Sequence, residues 1–153
     1  TEKKLFRVMG NMDYCAGHRD GAIYQELNIP FSNSLKMTLK IGLTHGSQIE
    51  RRGDHNELEA IAREKGYHIL VSGHTHKEEI YLTERGTLLL NPGSVTGAWS
   101  FIASGNNCFI VIEINEKTYS IKVTLFCLDK QTRKMKSQEK YYIFNSNKLE
   151  LKY

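Results

Sequence analysis

Leu35, Met37, Leu39, Ile41 and Leu43 alternate with polar or small residues, the period of a strand covered mainly on one face. This stretch ends at Thr44-His45-Gly46, and the period then lengthens. Leu58, Ile61 and Ala62 recur at helical spacing, opened by Asp54 with Glu57 in an Asp variant of the capping box and closed by Lys65-Gly66. Tyr67 to Ser72 is a short, almost wholly apolar run, as a central strand buried on both faces would be, and it leads directly into Gly73-His74-Thr75-His76. Together these elements predict a βαβ unit with a right-handed crossover. Strand then follows strand over 78–83, 87–90, 108–114, 118–127 and 140–144, with turns at Glu84-Arg85-Gly86 and Asn115-Glu116-Lys117. Near the start, Leu5 to Met9 reads as one more strand; Gly17 and Gly21 mark a loop in which Ile23, Tyr24 and Leu27 make a helical turn. An α/β front half and a mostly β back half predict an α/β sandwich, two sheets packed face to face and flanked by helices.

Length and composition narrow this picture. At 153 residues and 40% hydrophobic content the chain can bury one core, so a single domain over 1–153 is expected. No apolar run approaches the ~18 residues of a membrane span, and TEKKLFRVMG is too short and too charged for a secretory leader, so a soluble protein is expected. Cys15, Cys108 and Cys127 are odd in number and lack Cys-x-x-Cys spacing, which favours free thiols in the cytosol over a disulfide framework. The net charge of +4 comes from scattered lysines and one basic stretch, Lys130 to Lys140, with no interleaved aromatic stripe. That stretch reads as a solvated loop, not a nucleic-acid surface; weak attraction to anionic membrane stays open. No lipidation motif or amphipathic anchor is evident, so membrane association is expected to be indirect.

Candidate chemistry gathers at the carboxyl ends of the predicted strands, where open α/β sheets bind ligands. Leu5 to Met9 ends in Gly10-Asn11-Met12-Asp13, the strand to Leu43 ends in His45, and the strand to Ser72 ends in His74 and His76. Imidazole suits divalent transition metals, and amide or carboxylate oxygens complete the shell. Asn11, His45 and His74 therefore form a candidate set for one ion, zinc or manganese, with His76 available to a second if Gly73 lets the backbone loop. His18, His55 and His68 stand alone and are read as structural or surface residues. Asn91-Pro92-Gly93-Ser94 is either a simple turn or a backbone groove supporting the rim.

Gly10-Asn11-x-Asp13, His45-Gly46 and Gly73-His74-x-His76, in that order, resemble the last three motifs of the calcineurin-like metallophosphoesterases. LKIGLTHGSQI, HILVSGHTHKEEIY, LLLNPGSVTGAW and FIVIEI are similar to the vacuolar protein sorting-associated protein 29 family, the small subunit of retromer, and the similarity runs from about Leu5 to Phe144. The resemblance implies a metallophosphoesterase-like fold and three departures from it. Met12 stands where catalytic members carry a histidine able to protonate the leaving oxygen; a thioether has no transferable proton, which predicts weak activity or none. Two N-terminal βα units, with an Asp-x-His and a Gly-Asp or Gly-Asn motif, are expected before Gly10 and do not appear, leaving a binuclear centre in doubt. The segment from Asp13 to Pro30 is longer than the family leads one to expect.

For the role, the resemblance implies a scaffold subunit of retromer in endosome-to-Golgi retrieval: a cytoplasmic protein, peripheral on endosomes through the complex, with no need of the metal for that role. Its rim would be covered by the large α-solenoid subunit, with Ile49, Trp99 and Phe101 as anchors. Trp99 has an alternative place, packed under the Gly93–Gly97 loop. A second protein partner is implied near Val111, because both faces of FIVIEI are apolar. The competing reading is a metal-dependent phosphodiesterase of the small calcineurin-like branch.

Overall fold

A computed structural model describes residues 4–31 and 37–152. Two sheets share one core. The first contains β1 (Tyr24–Pro30), β2 (Thr38–Thr44), β3 (Ile69–Val71), β4 (Glu78–Leu82) and β5 (Leu88–Pro92) in the order β1-β2-β3-β5-β4. The second contains β6 (Asn107–Asn115), β7 (Ser120–Leu128), β8 (Met135–Asn145) and β9 (Lys148–Leu151) in sequence order, all antiparallel. Leu39, Ile69, Leu88 and Leu90 from the first sheet meet Ile121, Val123, Tyr142 and Phe144 from the second. On the other face of the first sheet, Leu58 and Ala62 of helix α2 (His55–Lys65) cover Tyr67, Leu70 and Leu89. The order is thus helix, sheet, sheet, as the hydrophobic pattern predicts.

The βαβ unit is β2-α2-β3, with Ile41, Gly42 and Leu43 paired in parallel to Ile69, Leu70 and Val71. Gly42 is required because the Tyr67 ring lies over it: an added Cβ would fall 2.2 Å from that ring. Helix α2 is capped by the Asp54 side chain, which accepts from the Asn56 and Glu57 amides, and ends at Gly66 in a left-handed conformation. Half of the predicted capping box forms. Glu57 reaches past Asp54 to accept from the Glu50 and Arg51 amides, binding the preceding turn to the helix.

Three expectations change, and one falls outside the described residues. Leu5 to Met9 forms no strand; in the stretch its Met9 amide donates to the Ala22 carbonyl at 2.9 Å, and it has no ladder partner among the described residues. Ile23, Tyr24 and Leu27 make no helical turn: Tyr24 opens β1, which pairs antiparallel with β2 from Tyr24 opposite Thr44 to Pro30 opposite Thr38. The available partner strand overrides a weak local pattern. Leu35, the first residue of the predicted alternation, lies outside the described residues. The free-thiol expectation is also overturned for two cysteines. The β6–β7 register sets Cys108 opposite Cys127 with their Cα atoms 4.2 Å apart and their sulfurs bonded, while Cys15 is exposed and free. A separation of 19 residues carries no local signal for that pairing.

Candidate metal centre and docking rim

The site forms where three segments meet beyond the ends of β2, β3 and β5. Asn11 opens a short helix, α1 (Asn11–Cys15), and Asp13 fixes its start by accepting from the Gly10 amide at 2.8 Å and pairing with Arg7 at 3.3 Å. The Gly10 amide is also the main reason the Asp13 carboxyl titrates below its usual range. Gly10 has its own steric role, since an added Cβ would stand 3.0 Å from Nε2 of His45.

His45 Nε2 lies 2.9 Å from Asn11 Oδ1, and the His45 and His74 rings meet edge to face with centroids 5.1 Å apart. Burial holds both imidazoles below the ordinary value of 6.5; for His45 the neighbouring His76 adds to the effect, and for His74 the Arg52 charge does. Both are therefore neutral near pH 7, the form that donates a lone pair to a metal. Ligand atoms about 3 Å apart suit neighbouring positions on one ion with bonds of about 2.1 Å. Asn11 Oδ1 and His45 Nε2 stand at that spacing with the His74 ring beside them, and amide oxygen with imidazole nitrogen is a donor chemistry suited to a divalent ion.

His76 is turned differently. Its Nδ1 lies 3.1 Å from the Trp99 carbonyl, which can only accept, so Nδ1 carries the proton and Nε2 keeps the lone pair. This links the histidine loop to the 93–101 segment. The loop itself departs from expectation: Gly73 is not left-handed, and it is His74 (φ 67°) and His76 (φ 57°) that adopt that conformation. Non-glycine residues pay for such backbone, and the surroundings over-determine it. The buried Asn91 side chain donates to the Gly73 carbonyl at 3.1 Å and to Thr75 Oγ1 at 2.8 Å while accepting from the Gly93 amide, and Ser100 Oγ donates to the Thr75 carbonyl. Of the two readings of Asn91-Pro92-Gly93-Ser94, support of the rim fits these bonds.

Exposed apolar side chains border the same cleft beside the histidine loop. Trp99 is 74% exposed and Phe101 89%, with ring centroids 4.8 Å apart in an edge contact, and Met12, which also lines the cleft, is 71% exposed. Trp99 does not pack under the Gly93–Gly97 loop. Ile49 is corrected: at 6% exposure it lies in the core with Leu58, Tyr67 and Leu70, where no partner can reach it. Val111 is on the outer face of the second sheet, partly exposed beside Phe109, whose ring stacks on Phe126 at 5.1 Å.

Residues set aside in the sequence have structural partners: His55 pairs with Glu79 at 2.9 Å and stacks on Tyr81, while His68 Nδ1 accepts from the Lys40 amide at 3.0 Å. In the basic stretch, Lys136 pairs with Asp129, Lys130 donates to the Gly97 carbonyl and Lys140 to the Ile80 carbonyl. Sequence reasoning missed Arg52, which lines the cleft with Asn11, His45, His74 and His76. It also missed the Glu78, Cys108 and Cys127 cluster, whose two sulfurs are joined to each other.

The model of the calcineurin-like phosphoesterase superfamily domain matches residues 1–117. A probable metallophosphoesterase, MJ0623 of Methanocaldococcus jannaschii, is 40% identical over 94 residues, which is 61% of this chain and 42% of that protein. A crystal structure of a Vps29 single mutant from Entamoeba histolytica superposes with a TM-score of 0.70 at 29% identity, covering 86% of this chain and 67% of that one. Wild-type Vps29 from the same organism, complexed with zinc, gives 0.62 at 32% identity, covering 75% and 59%. The chain spans less than half the length of the archaeal relative it matches.

Proposed function

The chain belongs to the calcineurin-like phosphoesterase superfamily, with a Vps29-like metallophosphoesterase fold, and from that premise we propose that it is a scaffold subunit of retromer whose metal-site rim docks a large α-solenoid partner. The observation that carries the reading is the exposed Trp99–Phe101 pair, held beside the histidine loop by the His76 to Trp99 contact. Two large aromatics in edge contact on a braced loop lose little conformational freedom on binding, which is what a hot spot needs. Asn11, His45 and His74 would hold a divalent ion, zinc or manganese, which stiffens the rim; His76 holds Trp99 through Nδ1 and keeps Nε2 for a second ion. The structure of Entamoeba Vps29 with zinc supports metal binding as a property of the fold.

In this reading, endosomal retrieval is the cellular role, attachment to endosomes runs through the assembled complex, and Val111 with Phe109 offers a second protein contact. No helix among the described residues is long and apolar enough to cross a membrane. Co-purification from cells, with partners identified by mass, tests the proposal. Recovery of a helical-repeat subunit by wild type and its loss with Trp99→Ala supports docking on this rim; equal recovery moves the interface elsewhere.

A phosphodiesterase reading is favoured by the neutral His45 and His74 and by likeness to the probable metallophosphoesterase of Methanocaldococcus jannaschii. A bound divalent ion would polarise a phosphoryl oxygen and activate a water. Met12 supplies no proton to a leaving oxygen, so only good leaving groups such as aryl oxides are expected to depart. Manganese-stimulated cleavage of an aryl phosphodiester, abolished in His74→Ala, supports this second reading.

A further inference from the structure

Arg52 stands on a turn that cannot easily move. Glu57 accepts from the Glu50 and Arg51 amides at 2.9 and 3.3 Å, and the Asp54 amide donates back to the Arg51 carbonyl at 2.8 Å. Gly53 is left-handed (φ 79°), and an added Cβ there would lie 2.9 Å from Thr75 Cγ2. Thr75 is the residue that Asn91 and Ser100 anchor between His74 and His76. Turn and histidine loop are therefore one packed unit.

The Arg52 side chain lines the same cleft as Asn11, His45 and His74. Among the described residues it has no hydrogen bond or ion pair, whereas Arg7 pairs with Asp13 and Arg19 donates to the Tyr14 carbonyl. The carboxylate lining the cleft, Asp13, is already committed to the Gly10 amide and Arg7. A guanidinium facing a divalent ion is repelled unless an anion lies between them. Its planar fork matches a phosphate's paired oxygens.

We propose that Arg52 is the anion-holding residue of this cleft, clasping the phosphate oxyanion of a phosphate or small phosphoester against the ion held by Asn11, His45 and His74. The proposal rests on the metal-centre reading above. Arg52 acts on the ligand and leaves the ion's own donors untouched, so metal affinity and phosphate affinity separate the two.

Calorimetry on the whole chain reads both in turn: first manganese or zinc alone, then inorganic phosphate added to the metal-loaded protein. Arg52→Gln is expected to bind metal as wild type does and phosphate about tenfold more weakly or worse, the loss of a charge-assisted bond. Arg52→Lys should recover part of the affinity, and Arg51→Gln, on the same turn but outside the cleft lining, should bind phosphate normally. Metal binding with equal phosphate affinity in wild type and Arg52→Gln overturns the role of Arg52, as does metal-loaded wild type that binds no phosphate. Failure of wild type to bind metal overturns the metal-centre reading and the proposal with it.

Discussion

His76 donates its Nδ1 proton to the Trp99 carbonyl across 3.1 Å, so a residue of the predicted metal site positions the largest exposed aromatic of the rim. His76→Ala should loosen the Trp99 segment without removing any docking side chain. Trp99 is the sole tryptophan, so its fluorescence anisotropy reports the rim directly. The variant is expected to show faster Trp99 motion and about fivefold weaker partner binding, the worth of one hydrogen bond. Unchanged anisotropy would contradict the bracing role.

Gly10→Ala tests the Asn11–His45 pair by steric means. The new methyl group would lie 3.0 Å from Nε2 of His45 and press the ring off its position, yet Gly10 is not left-handed, so the backbone tolerates the change. Misplacing a ligand's orientation typically costs ~10- to 100-fold in metal affinity. Calorimetry with zinc should show a loss of that size with little change in thermal midpoint.

Burial holds His45, His68 and His74 below 6.5, and His68 must stay neutral at Nδ1 to accept the Lys40 amide. Just below pH 6.5 the unfolded chain takes up protons at these positions while the folded chain still refuses them. Stability is therefore full above that pH and falls as pH drops through it toward the folded values. The carboxylates of Asp13 and Asp129, lowered from 3.8, enter only under more acid conditions, Asp129 down to about 2. Urea unfolding of metal-free protein should give a lower midpoint at pH 5.5 than at pH 7.5. A midpoint that rises on acidification would reverse the assigned shifts.

The Cys108–Cys127 bond closes a loop of 19 residues between neighbouring strands. Without reductant, an alkylating agent should mark Cys15 alone in the folded protein; after reduction and unfolding it should mark all three cysteines. Cys127→Ser is expected to cost about 3 kcal/mol, the chain-entropy value for a loop of this size. Three modified cysteines without reductant would show the pair to be open.

Much of this was legible in the sequence because the signals are local. Asp54 and Gly66 delimit α2, the apolar run before Gly73 marks the central strand, and His45 and His74 follow the ends of β2 and β3. What stayed hidden depends on partners distant in the chain. β1 is a strand because β2 lies beside it, and Cys108 meets Cys127 through the β6–β7 register. Ile49 follows the histidine strand in sequence and was expected on the rim, but packing against Leu58 and Tyr67 draws it into the core. Arg52 gave no signal because its place depends on Glu57 and Thr75 fixing a turn.

Hydrogen exchange on the purified protein, with and without the carboxyl-terminal half of a retromer α-solenoid subunit, tests the docking rim most directly. The account predicts slowed exchange at 95–102 and at the His74–His76 loop, with the effect lost in Trp99→Ala. Protection confined to the face around Phe109 and Val111, or none at saturating partner, would contradict it.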